Sequence, residues 1–386
     1  MEEKLGVAVR VRHDVTEIDL KQGRVNVQEQ DTLKTWWEPF DRLMVATGAL
    51  PLKPPVDGID ATGIFGVNTL ESGVALHQFI QENEPRKAVV IGGGYIGLEM
   101  AENLILRGMD VSLIERAPEV MGTLDPNMGA LVSKALIDVG VTLYRDESLE
   151  GFEITRDRVS EVITDQRRLP ADLVILGMGV KPNTSLARTA GIPIGDTGAV
   201  AVDDTMQTKA DQVWAGGDCA ESFHLISRRP VAIALGTVAN KHGRVAGTNM
   251  GGGNAIFSGL VGTAVSKICT VEVARTGLQE KEIQQIGAQY VSAVIESTTR
   301  AGYYPDSGPI TVKMLAEKGS ARLLGAQIVG KEGAAKRIDI LATALHAGFT
   351  VEEIAELDLS YAPPYSPVWD PVAVAARVTM KKVMEA

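Results

Sequence analysis

The amino-acid sequence predicts an α/β protein with two three-layer domains, one inserted into the other, and a C-terminal α+β domain. Lys87 to Arg116 has the pattern of a strand, a glycine turn, a helix and a second strand. Two more apolar strands run into glycine turns, in FDRLMVATGALP and in VWAGGDCAE. From about Gly259 the chain changes to four strand-like runs followed by two helices. Strands that alternate with helices indicate layered domains, and their later segregation indicates an α+β domain.

Hydrophobic periodicity predicts the other elements in order. Gly6 to about Val27 alternates apolar and polar residues as strands do, and the proline-rich PLKPPVDGID is typical of a loop. TLESGVALHQFIQENEP predicts an amphipathic helix with Leu76, Phe79 and Ile80 on one side. Further predicted elements are a helix near residues 127–139, the strand VTLYR, and a helix over PVAIALGTVANKHGRVAGTNM.

These elements suggest domain boundaries near residues 70, 198 and 254. Residues 1–70 and 199–254 are predicted to form two parts of one domain. Residues 71–198 form the inserted domain and residues 255–386 the C-terminal domain.

The composition excludes several classes of protein. The chain has 386 residues, 45% of them hydrophobic, enough for two or three domains with substantial cores. The formal net charge of −11 argues against nucleic acid or an anionic membrane as partner, because both require clustered basic surface. Apolar runs stay well below the roughly 18 residues of a membrane span, and two cysteines cannot form a disulfide framework. We therefore expect a cytoplasmic protein, and we predict no metal site.

The glycine turn after the strand Ala88–Ile91 carries a dinucleotide-binding pattern. Gly92, Gly94 and Gly97 give G-x-G-x-x-G, which allows the turn, the approach of a pyrophosphate and close packing of the helix on the strand. Glu115 ends the next strand, about twenty residues further on, where a carboxylate reaches a ribose 2′-hydroxyl. It favours NAD, because it would repel a 2′-phosphate, although the neighbouring Arg116 keeps NADP open.

Four motifs in order, VATGALP, GGGYIGLE with its acid, LGMGVKPN and VWAGGDCAE, resemble the FAD-dependent pyridine nucleotide-disulfide oxidoreductases. The resemblance implies two nucleotide-binding domains, the first for FAD and the inserted one for NAD(P)H. It places the turn Ala46, Thr47 and Gly48 beside the flavin dinucleotide. Asp218, after Gly217, would hydrogen-bond the ribityl chain. The helix that starts near Ala234 would point its N-terminus at the flavin ring, where it stabilises negative charge.

The same resemblance assigns residues around the nicotinamide. Tyr95 matches a position that covers the flavin and swings aside, and Glu99 matches a helix glutamate near nicotinamide. The alternatives are an aromatic ring packed on the βαβ unit and a solvated acid. Ile96 and Gly179 complete the predicted cofactor-binding set.

The C-terminal motifs narrow the resemblance to coenzyme A-disulfide reductases and their relatives, the NADH oxidases, peroxidases and persulfide reductases. AGYYPDSGPI and LSYAPPYSP match the segments in which two tyrosines serve the reaction, here Tyr303 and Tyr361, with Tyr304 and Tyr365 beside them. A phenol can protonate a departing thiolate without being ionised at neutral pH. The alternative is that these tyrosines pack a homodimer interface. Candidates for coenzyme A phosphates, or else a solvated helix start, are Lys331, Lys336 and Arg337.

Relative to this family, the sequence has neither the first glycine fingerprint, which holds the adenine half of FAD, nor the nucleophilic cysteine about forty residues in. Roughly seventy residues of the family pattern precede GVAVRVRHDVTEID, so we expect weak FAD retention by the chain as written. An internal methionine taken as the start, a fragment and a shortened gene all remain open. Cys219 and Cys269 are predicted to be small buried residues.

The resemblance implies a flavoenzyme that passes hydride from NAD(P)H to FAD and then reduces a coenzyme A disulfide or persulfide, with a partner-subunit tyrosine assisting. One alternative is an NADH oxidase or peroxidase, in which a cysteine cycles through sulfenate. Another is a non-catalytic fragment that retains only NAD binding and dimerisation.

Overall fold

The computed structural model describes residues 6–386. The strands of this part of the chain are β1 (His13–Asp19), β2 (Arg24–Glu29), β3 (Thr35–Pro39), β4 (Leu43–Val45), β5 (Ala49–Pro51), β6 (Ile64–Gly66), β7 (Lys87–Ile91), β8 (Asp110–Glu115), β9 (Thr142–Arg145), β10 (Leu149–Thr155), β11 (Arg158–Thr164), β12 (Arg168–Pro170), β13 (Leu173–Leu176), β14 (Val180–Pro182), β15 (Val213–Ala215), β16 (Ser222–His224), β17 (Arg229–Val231), β18 (Ala264–Ile268), β19 (Val271–Gly277), β20 (Tyr290–Thr298), β21 (Pro309–Glu317) and β22 (Leu323–Gly330).

The α-helices are α1 (Leu70–Asn83), α2 (Tyr95–Leu106), α3 (Pro126–Asp138), α4 (Ser185–Thr189), α5 (Gly236–Met250), α6 (Glu280–Gln285), α7 (Ile338–Ala347), α8 (Val351–Ala355) and α9 (Pro371–Glu385). Residues near the N-terminus determine where several of these helices begin. Thr69 and Ser72 form a capping box at α1, and Pro371 opens α9 after Asp370 accepts a bond from Val372 N.

The described residues pack into two compact units. The first comprises residues 6–50, 181–224 and 228–260. It contains the antiparallel sheet β1-β2-β3, the parallel pair β4–β15 and the hairpin β16–β17. Its core is formed by apolar side chains from these strands and from α5, among them Ile18, Val45, Val213, Trp214 and Val245.

The second unit comprises residues 51–180, 225–227 and 261–386. Its parallel sheet has the order β6-β13-β7-β8-β9, and the antiparallel sheet β10-β11-β12 accompanies it. The strands β7 and β13 are almost entirely buried, as expected for the centre of a parallel sheet. An antiparallel sheet in the order β18-β19-β22-β21-β20 packs with α7 and α9 and ends the unit.

Most of the predicted elements agree with this structure. Leu76 and Phe79 of α1 are buried as predicted. Residues 6–12 contain no strand, and the short helices α4, α6 and α8 had not been predicted. The helix predicted from Pro230 begins only at Gly236, because Arg229–Val231 pairs with β16 instead. The predicted boundaries at residues 70, 198 and 254 stay predictions.

Candidate functional site

The turn between β7 and α2 is so tightly packed that only glycine fits at its ends. Gly92 has φ +100°, and a Cβ there would lie 2.6 Å from the carbonyl oxygen of Gly177. A Cβ on Gly97 would lie 1.9 Å from the carbonyl oxygen of Gly92. Strand, turn and helix are therefore in backbone contact, which is the arrangement that the G-x-G-x-x-G pattern predicts.

Gly94 differs from its neighbours, because a Cβ there would meet only Gly177 O, at 3.8 Å. It is the N-cap of α2 and supplies no capping side chain. Beside it, Glu115 accepts hydrogen bonds from Gly93 N at 2.7 Å and Ala117 N at 2.8 Å. The turn thus offers an uncapped helix N-terminus, open space at Gly94 and an anchored carboxylate, which fits a dinucleotide with its pyrophosphate and ribose.

Tyr95 and Glu99 lie on the first turns of α2. Tyr95 is half-buried, and its hydroxyl accepts a hydrogen bond from Thr123 Oγ1 at 3.3 Å. Glu99 is exposed and accepts a hydrogen bond from Ser266 Oγ at 2.7 Å. Thr123 was missed by the sequence reasoning, because no pattern links it to a residue 28 positions earlier.

Two further predicted cofactor-binding residues, Ile96 and Gly179, lie in the same unit. Ile96 is half-buried in the first turn of α2. Gly179 has φ +92°, and its carbonyl oxygen accepts a hydrogen bond from Leu52 N at 2.9 Å.

In the first unit, two of the predicted motifs meet at one edge of a parallel strand pair. β4 and β15 run side by side, so Ala46–Gly48 and Gly217–Asp218 follow neighbouring carboxyl ends. Thr47 Oγ1 donates to Asn183 O at 2.5 Å, which fixes the turn at Gly48. Asp218 is half-buried, burial raises the pKa of its carboxyl group, and the carboxylate has no partner among residues 6–386. A half-buried carboxylate of this kind suits a ligand with hydroxyl groups to donate, such as a ribityl chain.

His242 of α5 supports the turn that carries Asp218. Its ring is fully buried, Nδ1 accepts a hydrogen bond from Gly217 N at 3.3 Å, and Nε2 lies 3.1 Å from Ser222 Oγ. Burial lowers the pKa of His242 to about 4. The ring is therefore neutral at pH 7, with its proton on Nε2. Ala234 lies in an exposed extended segment just before α5, whose N-terminus has no capping side chain.

We expect mild acid to destabilise the protein through His242. An unfolded histidine titrates near 6.5, so this contribution to stability is complete above about pH 6.5 and is lost as the pH falls toward 4. Between pH 7 and pH 5 the loss is about 2 kcal/mol, measured by urea unfolding at both pH values. His242→Gln should weaken this pH dependence, whereas exposed His346→Gln should leave it as in the wild type. Equal pH dependence in all three proteins would contradict the assignment.

Both cysteines are free and buried. Cys219 Sγ lies 3.5 Å from Val45 O and 3.4 Å from Gly216 O, within the strand-end packing of the first unit. Burial and the nearby Glu102 carboxylate raise the pKa of Cys269 to about 11. A thiol that is protonated and inaccessible is a poor nucleophile.

The two tyrosine motifs lie together. The side chains of Tyr303 and Tyr361 interact, and this interaction raises the pKa of Tyr361. Tyr303 is 78% exposed and Tyr361 48% exposed. Ala301 N donates to Pro363 O at 3.1 Å, so the loops also share a backbone bond. Tyr304 and Tyr365 flank the pair and are exposed.

The three basic residues that were candidates for binding coenzyme A phosphates differ in their exposure to solvent. Lys336 is exposed and pairs with Asp339. Lys331 is half-buried and packs its stem against Gly308. Arg337 is buried and bonds Asp370, so the idea that it belongs to a solvated helix start is wrong.

These features agree with the comparisons with known proteins. Residues 2–243 match the family described as pyridine nucleotide-disulphide oxidoreductase, and residues 263–372 match the dimerisation domain of that family. The chain belongs to the pyridine nucleotide-disulphide oxidoreductase family. This family depends on FAD and NAD(P)H, and its members are oxidoreductases. The predicted family, fold class and cofactors are thereby confirmed.

Several named proteins are similar to most of this chain. An NAD(P)H sulfur oxidoreductase (CoA-dependent) of Pyrococcus abyssi is 39% identical over 376 residues, which cover 97% of this chain and 83% of the relative. A coenzyme A disulfide reductase of Staphylococcus haemolyticus is 30% identical over 367 residues, covering 94% and 81%. The solved structure of an NAD-dependent persulfide reductase from A. fulgidus superposes with a TM-score of 0.96 at 39% identity, covering all of this chain and 71% of that one.

Among residues 6–386, no helix combines the length and the hydrophobicity needed to cross a bilayer.

Proposed function

We propose that this protein uses electrons from NAD(P)H to reduce a coenzyme A disulfide or persulfide, and that it acts as a homodimer. The observation that carries the proposal is that the loops of Tyr303 and Tyr361 are joined by a backbone bond, so that two interacting tyrosines are exposed at the surface of the dimerisation domain. Cleavage of an S–S bond by two electrons releases a thiolate, and a nearby phenol can supply its proton. Relatives that act on coenzyme A-linked or persulfide sulfur support the same substrate class.

The cofactors would be held by the two motif sets. The turn Gly92–Gly97 would hold the pyrophosphate of NAD(P)H against the α2 N-terminus, and Glu115 would bind the adenosine ribose. FAD would lie along the turns at Thr47 and Gly217, where Asp218 would accept hydrogen bonds from ribityl hydroxyls. When bound, FAD supplies the transfer of two electrons from nicotinamide to sulfur.

The residues near the dinucleotide would orient it. Tyr95 would act at the nicotinamide end, and its hydrogen bond from Thr123 gives the ring a defined resting position. Glu99 would reach the same region from the next turn of α2, with its carboxylate held by Ser266. Ile96 and Gly179 would border the bound cofactors.

Tyr361 would be the proton donor to the departing thiolate. A phenol is protonated at neutral pH, and the interaction with Tyr303 raises the pKa of Tyr361 further, so its hydroxyl carries a proton. It can therefore donate its proton when a coenzyme A thiolate departs, while Tyr303 holds it in place.

Removing either hydroxyl should slow thiol release. Tyr303→Phe and Tyr361→Phe in FAD-loaded protein should each lower kcat for NADH-dependent reduction of coenzyme A disulfide by about 100-fold, since general acids contribute about that much or more. Tyr365→Phe is the matched control and should retain wild-type turnover. The released thiol is measured with a chromogenic disulfide. Formation of hydrogen peroxide or water without thiol release would instead indicate an oxidase or peroxidase.

A further inference from the structure

Two surface loops of the dimerisation domain come together to bring the tyrosines into contact. We call residues 299–308 the first tyrosine loop and residues 361–370 the second tyrosine loop. Among the described residues, the direct contacts between these loops are the backbone bond from Ala301 N to Pro363 O, at 3.1 Å, and the side-chain interaction of Tyr303 with Tyr361. Because both tyrosine side chains are exposed, their interaction is too weak to fix the loops, and a single backbone bond leaves most of each loop without a direct link to the other.

A buried arginine lies beneath both loops. Arg337 is 8% exposed and stands at the end of a short 3₁₀ turn, Ala335–Arg337. Its Nη2 donates to Thr299 O at 2.9 Å in the first tyrosine loop and to Tyr365 O at 2.8 Å in the second. One nitrogen therefore bridges the backbones of the two loops.

The remaining contacts of Arg337 lock its guanidinium in place. Nε donates to Asp370 Oδ2 at 3.0 Å, and Nη1 donates to Gly333 O. Asp370 also accepts a hydrogen bond from Ser366 Oγ at 3.0 Å, and its other oxygen accepts one from Val372 N, at 2.8 Å, at the start of α9. Four of the five N–H groups of Arg337 are used within the protein, so little remains for a phosphate.

Building on the proposed function, we propose that Arg337 is a positioning residue whose guanidinium holds the two tyrosine loops together, so that the hydroxyls of Tyr303 and Tyr361 act on one departing sulfur. Lysine cannot replace it, because an ammonium lacks the planar fork that reaches two carbonyl oxygens and a carboxylate together. The raised pKa of Tyr361 agrees with a pair that is held closed.

The test compares Arg337→Met and Arg337→Lys with the wild type. In both variants amide hydrogen exchange should become faster in the two tyrosine loops, and the raised tyrosine pKa should return toward its ordinary value in an ultraviolet titration. Tyr361→Phe identifies which part of that titration belongs to the pair. In FAD-loaded protein, kcat for coenzyme A disulfide should fall by about 100-fold, as for a misplacement of about 1 Å, with KM for NADH unchanged.

The exposed Lys381→Met on α9 is the control, and should leave both exchange and titration as in the wild type. Where Arg337→Met does not fold, as judged by circular dichroism, Arg337→Lys decides the question because it retains a charge opposite Asp370. Unchanged loop exchange and tyrosine titration in a folded Arg337 variant would overturn the proposal. If instead Tyr303→Phe and Tyr361→Phe leave thiol release intact, the proposed function fails. Amide exchange and the tyrosine titration then still show whether Arg337 holds the two tyrosine loops together.

Discussion

Replacing Gly97 with alanine is expected to destabilise the protein by about 3 kcal/mol or more and to abolish dinucleotide binding. The added Cβ would lie 1.9 Å from Gly92 O, and the obstacle is backbone, which cannot rotate away as a side chain can. The neighbouring Gly177 cannot give way either, because its own Cβ position is 2.8 Å from Gly97 Cα. Relief requires opening the turn between β7 and α2. Urea unfolding and NADH fluorescence titration measure the two effects.

Substitutions at two other glycines, Gly73 in α1 and Gly94 at the start of α2, distinguish an effect on packing from an effect on ligand binding. Gly73→Ala within α1 meets nothing within 4 Å and should stabilise by about 0.5–1 kcal/mol, the helix preference for alanine. Gly94→Ala should cost at most about 1 kcal/mol, the N-cap preference for glycine over alanine, since its Cβ makes only an ordinary contact. It should nevertheless weaken NADH binding by about tenfold or more, about 1.4 kcal/mol, because the pyrophosphate needs that space. Wild-type stability of Gly97→Ala would refute the packing argument.

The features that sequence predicts well are set by contacts close along the chain. The glycine turn at Gly92–Gly97 is one of them, because its geometry depends on a strand, three glycines and a helix start within about ten residues. The strands of the C-terminal domain are another, since runs such as PITVKMLAE have few alternatives to a buried strand. The predicted start of α5 was wrong because it depends on a contact with another strand. Arg229–Val231 joins β16 through strand pairing, and that pairing overrides the local helix preference.

Burial of charge is the feature that the sequence predicts least. KRID has the composition of an exposed helix start, and Lys336 is indeed exposed. Arg337, one position on, is buried because Asp370 and the carbonyl of Thr299 come from segments 33 and 38 residues away. The contact between Glu99 and Ser266 spans 167 residues and leaves no local signal. For Arg337, partners distant in sequence decide that the charged side chain faces protein and not water, and for Glu99 a distant partner decides which group the exposed carboxylate binds.

A second buried charge, Lys313 of β21, should be among the most sensitive positions in the chain. Its side chain is 3% exposed, and Nζ lies 2.9 Å from Asp125 Oδ2 and 2.9 Å from Glu280 Oε1. Asp125, also 3% exposed, precedes α3 and accepts a further bond from Gln327 Nε2 at 2.7 Å. The ion pair thus joins the parallel-sheet part of the second unit to its C-terminal sheet.

Lys313→Met is therefore expected to cost about 3–5 kcal/mol, because it leaves the Asp125 carboxylate buried without its cation. Urea unfolding of the variant measures the loss, and Lys318→Met at an exposed position in the turn that follows β21 should be nearly neutral. A buried charge pair also predicts the behaviour of the double variant Asp125→Asn with Lys313→Met. Its cost should be smaller than the sum of the single costs, since neither change then strands a charge. Additive costs would instead mean that Lys313 contributes through the packing of its four methylene groups, with the ion pair adding nothing.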